Sequence, residues 1–177
     1  MNDLHKRTSK FLSYVLRHHP DKLGLTLDSA GWVPVLDLLK ALRANSKPMT
    51  RSQLNEVVRT NSKKRFEYNE DRTLIRASQG HSVEVDLDYK PQTPPDLLYH
   101  GTATQFIPAI HKEGLLKMDR HHVHLSVDKD TALDVGQRHG KPVVLTVLAG
   151  LMEDAKFYLS TNGVWLVEHV PPEYLED

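Results

Sequence analysis

The chain has 177 residues, 39% of them hydrophobic and 26% charged, with no cysteine and a formal net charge of zero. That length suits one large domain or two small ones, and the lack of cysteine excludes thiolate catalysis and every cysteine-based zinc site. No apolar run is long enough to span a bilayer, and the N-terminal MNDLHKRTSK lacks the apolar core of a signal peptide, so a cytoplasmic protein without membrane contact is expected.

The zero is a balance of unlike halves. Residues 1–82 hold 15 Lys and Arg against 8 Asp and Glu, whereas residues 83–177 hold 8 against 15. A basic half points to contact with nucleic acid; the plain alternative is uneven solvated surface charge.

Residues 8–19, TSKFLSYVLRHH, open with an N-cap threonine and set Phe11, Leu12, Val15 and Leu16 on one helical face. Pro20 limits that helix and leaves Arg17, His18 and His19 in its last turn. Cations are favoured there by the helix dipole, and Arg17 and His18 can also donate together to an anion. A second helix is predicted over 35–43, with Leu36, Leu39 and Leu42 at helical spacing, and a third opens at Thr50 with the capping box TRSQ and runs to about Arg59. Residues 65–68 and 73–77 read as strands around the turn at 69–72. Three helices followed by a hairpin is the order of a winged helix, with Lys63, Lys64 and Arg65 where the hairpin begins.

The segment 88–95 carries Pro91, Pro94 and Pro95 and reads as an extended linker. It divides the chain into lobes 1–88 and 89–177. The second lobe begins with a strand at 97–99 that ends in His100-Gly101-Thr102. A helix over 105–112 closed by Gly114 follows, then a strand at 120–126 and a helix over 130–139 stopped by Gly140. Further strands are expected at 143–147, around Leu159 and at 164–167. The fold class is α+β.

The stretch RHHVHLS at 120–126 concentrates an arginine, three histidines and a serine. As a strand it sets His122, His124 and Ser126 on one face and His121, Val123 and Leu125 on the other. Metal ligation, surface decoration and a ligand pocket all explain such a row. Zinc would need a third ligand, for which His100 and His139 are available, but no H-E-x-x-H spacing exists and no metal is expected. There is no G-x-S-x-G elbow, no Walker loop and no Rossmann fingerprint, since Gly136 and Gly140 lie within or after a helix. No carboxylate spacing singles out a general acid/base pair. What remains is a set of fixed cations and neutral polar groups, chemistry suited to holding phosphate.

The motifs LSYVLRHHP at 12–20, KKRF at 63–66, QGHS at 79–82, LYHGT at 98–102, RHHVHLS at 120–126 and NGVW at 162–165 resemble, in order and spacing, those of the RNA 2′-phosphotransferase family. The resemblance covers residues 8–168 and names the NAD-dependent enzymes of the last step of tRNA splicing. It implies a winged-helix RNA lobe, 1–88, followed by an ADP-ribosyltransferase-like lobe, 89–177. It also implies a metal-free, two-step reaction in which NAD is consumed and an internal RNA 2′-phosphate is removed.

By motif, the family's Arg-His-Arg-Arg set maps to Arg17, His18, Arg65 and Arg120, all present. The resemblance places NAD against His100, Gly101, Thr102, His124, Leu125 and Ser126, with Gly136 and Arg138 as further contacts. The third superfamily position, often a glutamate, falls at Val164, which suits a phosphate that is already a nucleophile. His81 is expected to be structural or RNA-facing, and Trp32 and Trp165 to be core aromatics. A monomer is expected. Two other readings stand beside this one: a non-catalytic winged-helix nucleic-acid binder, and an ADP-ribosyltransferase acting on terminal phosphates or protein.

Overall fold

Leu12, Val15 and Leu16 recur at the spacing of one helical face, and in the computed structural model all three are fully buried on helix α1 (Asp3–His18). The structure describes residues 3–177, with side chains from His5 onward; Met1 and Asn2 of the N-terminal stretch lie outside the described residues. The chain divides into two compact units, Met1–Asp88 and Tyr89–Asp177. Helix α1 begins earlier than the expected cap at Thr8, because no glycine or proline interrupts residues 3–7 and Thr8 is simply helical. It ends before Pro20, which opens a single 3₁₀ turn, Pro20–Leu23, closed by Gly24 at φ 64°.

Strand β1 (Val33–Pro34) leads directly into α2 (Val35–Ala44). The buried stripe of α2 is Val35, Leu38 and Leu42, while Leu36 is 67% exposed, so the expected Leu36-Leu39-Leu42 face is rotated. The cause is tertiary: the Val35 amide donates to the Thr73 carbonyl at 2.9 Å, which fixes the helix's first residue against the sheet and thereby the rotation of every later one. Helix α3 (Arg51–Thr60) carries the predicted capping box, with the Gln53 amide donating to Thr50 Oγ1 at 3.2 Å and the Thr50 amide to Gln53 Oε1 at 2.8 Å. Strands β2 (Phe66–Tyr68) and β3 (Leu74–Ala77) form the predicted hairpin, and β1 pairs on the far edge of β3, giving the antiparallel order β1-β3-β2. The three helices close over this sheet around Leu12, Leu16, Leu38, Leu54, Phe66 and Ile75.

Cross-strand partners Glu67 and Arg76 form an ion pair at 2.7 Å, and the Arg76 guanidinium lies 4.4 Å over the Trp32 ring. Trp32 is therefore a half-buried platform under a cation rather than a core aromatic.

In the second unit, β4 (Leu98–Ala103) is followed by α4 (Ile107–Glu113), β5 (Leu115–Leu116), β6 (Val123–Leu125), α5 (Lys129–Gly136) and β7 (Pro142–Val147). The strands β8 (Tyr158–Leu159), β9 (Trp165–Val167), β10 (His169–Val170) and β11 (Leu175–Glu176) complete it. Its small antiparallel sheets run β11-β7-β4, β6-β9-β8 and β10-β5. Strand β4 pairs with β7 over its whole length, from Leu98 opposite Val147 to Ala103 opposite Pro142, so His100-Gly101-Thr102 lies within the strand rather than after it. Tyr99 and Ser126 then exchange two backbone hydrogen bonds of 2.8 Å, which join the β4 and β6 sheets. Trp165 sits in the core with Leu98, Val123, Leu125, Leu145 and Phe157.

The strand expected over 120–126 shrinks to Val123–Leu125, because Met118 takes a left-handed φ of 52° and the Arg120 amide closes a turn onto the Lys117 carbonyl. Helix α5 stops at Gly136, short of the expected 139, as the amides of Arg138 and His139 tighten to carbonyls three residues back. The proline-rich segment is not a free tether: Pro91 bridges Tyr158, and the Gln92 amide donates to the Phe157 carbonyl at 2.8 Å. Among the described residues no helix is long and apolar enough to cross a membrane.

Helix α5 lies on β4 at backbone contact. A Cβ on Gly101 would overlap the Ala132 carbonyl, and one on Gly136 would fall 2.5 Å from the Thr102 carbonyl oxygen. Gly101→Ala and Gly136→Ala should each destabilise the protein by about 1–3 kcal/mol or more through overpacking, measured as a fall in denaturation midpoint.

Candidate active site

The four cations singled out in the sequence fall into two groups, Arg17, His18 and Arg65 in the first unit and Arg120 in the second. Arg17 and His18 are the last two residues of α1, where the helix carbonyls lack intrahelical partners. The returning chain supplies them: the amides of Ser82 and Val83 donate to the Arg17 carbonyl at 3.0 and 3.4 Å. The same return sets Ser82 Oγ 2.8 Å from His18 Nδ1, so the hydroxyl holds one ring nitrogen and directs the other, Nε2, away from it. Arg65 immediately precedes β2, and its Nη1 lies 3.4 Å from the Oγ of Ser9 on α1. His81 is 2% exposed and packs against Gly31, which makes it an interior residue of this unit.

In the second unit the two-way backbone bond between Tyr99 and Ser126 brings His100 beside His124. His100 Nδ1 lies 3.1 Å from the His124 carbonyl oxygen, which can only accept, so Nδ1 carries a proton. Arg120 Nη1 is 3.0 Å from His124 Nδ1. Guanidinium only donates, so that nitrogen is unprotonated and His124 is neutral, with its proton on Nε2.

Burial pushes the His100 imidazole below its ordinary 6.5; the bond to the His124 carbonyl opposes this, and the charges of Arg120 and His139 add to it. At neutral pH His100 is then uncharged and presents a lone pair at Nε2. Burial, then the neighbouring charge of Arg138, lowers the Arg120 pKa from its ordinary value, and the group stays cationic. Arg138 and His139, just beyond α5, thus belong electrostatically to the same cluster.

The remaining expected contacts are placed unequally. Thr102 is buried on β4, and Leu125 is 1% exposed in the core. Ser126 is partly exposed. The Val164 amide accepts no role in a strand but donates to Ser160 Oγ at 2.9 Å in the turn before β9. Gly101 and Gly136 are required by the contact of α5 with β4 described above. His122 precedes β6 and meets the Tyr158 ring edge-to-face at 5.4 Å; Tyr158 and His124 both pair with Leu166, so His122 and His124 keep to one face of the sheet. Among the described residues no three His, Cys, Asp or Glu side chains are grouped to hold a metal ion.

A family model described as RNA 2′-phosphotransferase, Tpt1 / KptA family, matches residues 3–169. The chain belongs to this family. It is 57% identical over 171 residues to a protein of Trichormus variabilis named "Probable RNA 2′-phosphotransferase", covering 96% of this chain and 94% of that one. Proteins of the same name from Agrobacterium fabrum and Streptomyces coelicolor are 56% and 51% identical, covering 95% and 96% of this chain and 91% and 93% of theirs.

In this member of the RNA 2′-phosphotransferase family, residues beyond the sequence motifs' obvious cations support the candidate groups within each unit. Ser82 lies in the QGHS motif, but nothing local shows that it meets His18 across 64 positions. His139 was visible only as an available third ligand for zinc, not as a charge beside His100.

The depressed pKa of His100 has a definite sign. Below about pH 6.5 the unfolded chain binds more protons at this position than the folded one. Its contribution to stability is therefore full above that pH and is lost as pH falls through the lowered folded value. An imidazole NMR titration should show His100 titrating below an ordinary histidine; a midpoint at or above 6.5 would contradict the neutral assignment.

Proposed function

We propose that this protein removes an internal RNA 2′-phosphate at the expense of NAD. The observation that carries the reading is the Arg120–His124–His100 cluster, a fixed cation bonded to one neutral imidazole whose carbonyl orients a second. It stands in a chain matched over residues 3–169 by the RNA 2′-phosphotransferase family model.

The first unit is read as a winged-helix RNA lobe, on its three helices and β1-β3-β2 sheet and its 15 Lys and Arg within residues 1–82. The second is read as an ADP-ribosyltransferase-like lobe. A 2′-phosphomonoester carries about −1.5 to −2 charges, and arginine forks match its oxygens. On the resemblance, Arg17, Arg65 and Arg120 are each read as phosphate ligands, and His18 as a further donor.

The residues of the second unit fit NAD. On the resemblance, His100 would accept a ribose hydroxyl at its lone pair, and Gly101, Thr102, His124, Leu125, Ser126, Gly136 and Arg138 would supply the further contacts to NAD. Val164 occupies the place where a carboxylate would otherwise activate an acceptor; a phosphate dianion needs no such base.

In the first step a phosphate oxygen of the RNA bonds to C1″ of NAD as the bond to nicotinamide breaks. In the second, ribose O2″ bonds to phosphorus as the bond to the RNA O2′ breaks. The products are ADP-ribose 1″,2″-cyclic phosphate and a 2′-hydroxyl, and His18 is read as the group that manages the proton O2′ gains. The arginines neutralise charge that builds on the phosphoryl oxygens.

Incubation with an RNA bearing one internal 2′-phosphate, with and without NAD, tests the reading by product mass. Loss of phosphate only with NAD, with ADP-ribose cyclic phosphate formed, is expected; intact RNA and NAD with folded protein would sink it. Arg65→Ala and Arg120→Ala should each fold normally and slow the complete reaction roughly tenfold or more, and near-normal turnover would remove that arginine from the set.

A further inference from the structure

We infer that Asn61, acting through Ser9, is a positioning residue for Arg65. Asn61 follows the last turn of α3, yet it is 3% exposed and both ends of its amide are used. Its Nδ2 donates to Ser9 Oγ at 2.6 Å, and its Oδ1 accepts the Lys63 amide at 3.1 Å. Its backbone carbonyl accepts the Lys64 amide at 2.9 Å, closing a tight loop onto the residue before Arg65.

That loop is held in an uncommon shape. Lys64 has a left-handed φ of 41°, a conformation that a non-glycine residue keeps only when its surroundings enforce it. The Lys64 carbonyl accepts from Ser78 Oγ at 2.9 Å, and the Arg65 carbonyl accepts the Ser78 amide at 2.9 Å. The backbone that launches the Arg65 side chain is thus gripped from α3 on one side and from the end of β3 on the other.

Ser9 extends the grip to the side chain. It is fully buried on α1, and its hydroxyl oxygen receives both the Asn61 amide at 2.6 Å and Arg65 Nη1 at 3.4 Å. Ser9 precedes Arg17 by eight positions, roughly 12 Å along the axis and about 80° around it. The Asn61–Ser9 bond therefore ties the loop bearing Arg65 to the same rigid helix that bears Arg17 and His18. It sets the spacing of three phosphate-holding groups from inside the core. A leucine at position 61 would fill the volume but could not fix the direction of the loop, because the directing element is a donor and an acceptor at a set angle.

This inference rests on the reading of Arg65 as a phosphate ligand, and the experiment separates the two. In the full-length protein, ¹⁵N relaxation of the Arg65 side-chain N–H is compared among wild type, Ser9→Ala, Asn61→Ala and Asn61→Asp, alongside melting temperature and affinity for one RNA with and without an internal 2′-phosphate. Ser9→Ala and Asn61→Ala should both loosen Arg65 and cut the affinity gained from the 2′-phosphate roughly tenfold, the cost of a misplaced contact. Asn61→Asp keeps an acceptor for Lys63 and can accept from the Ser9 hydroxyl, so Arg65 should stay ordered. Unchanged Arg65 order in Ser9→Ala overturns the inference, even if melting falls, and Ser9→Ala decides alone should Asn61→Ala not fold. A wild-type protein indifferent to the 2′-phosphate would defeat the functional reading, while the relaxation data would still decide the positioning role.

Discussion

The second unit depends on one close approach, that of α5 to β4, where Ala132 and Thr102 backbone atoms occupy the space of missing side chains at Gly101 and Gly136. Side chains alternate across a strand, so a helix pressed against Gly101 on one face leaves its neighbour His100 directed to the other. On the edge of β4 away from β7, Ser126 pairs with Tyr99, and the His124 carbonyl meets the His100 ring. The position of the imidazole is thus a consequence of backbone packing on the reverse side of its strand. The glycines serve the cluster without belonging to it chemically.

The cluster divides its labour between groups that do not titrate near neutrality and groups that do. Its positive charge comes from Arg120 and Arg138, and a nearby fixed cation disfavours protonation of an imidazole. Burial first, with the charge of Arg120 adding to it, keeps His100 neutral, and the bonds at His100 Nδ1 and His124 Nδ1 assign donors and acceptors to both rings, a state suited to orienting hydroxyls. On the first unit the arrangement differs: Arg17 and His18 end a helix whose dipole favours cations, and Ser82 Oγ meets His18 Nδ1. In the proposed reaction, the arginines do the electrostatic work and the histidines the hydrogen bonding.

Features whose causes are local were legible in the sequence. The Thr50 capping box, the hairpin of β2 and β3 and the stop before Pro20 each need only neighbours within about four residues. The exposed Leu36 was not, since the rotation of α2 is set by a bond from Val35 to Thr73. The length of β6 was not, because alternation of Val123 and Leu125 says nothing of a left-handed turn at Met118. The close approach of Ala132 to Gly101 was not legible either, since nothing near Gly101 in the chain announces a helix packed on it. Of the candidate site, the cations were visible as motifs, but their holders were not: Ser9 and Asn61 are 52 positions apart, and each looks like an ordinary polar residue until the fold buries both.

The two tryptophans fall one to each unit and in unlike surroundings. Trp165 is 6% exposed in the core of the second unit, while Trp32 lies half-buried beneath the Arg76 guanidinium. Indole emission shifts to the red with solvent contact, so the native spectrum is a sum of a bluer and a redder component. Replacing either ring by phenylalanine leaves a single fluorophore reporting on a single half of the chain. The protein thereby carries its own pair of optical labels, and the order in which its halves lose structure can be read from colour alone.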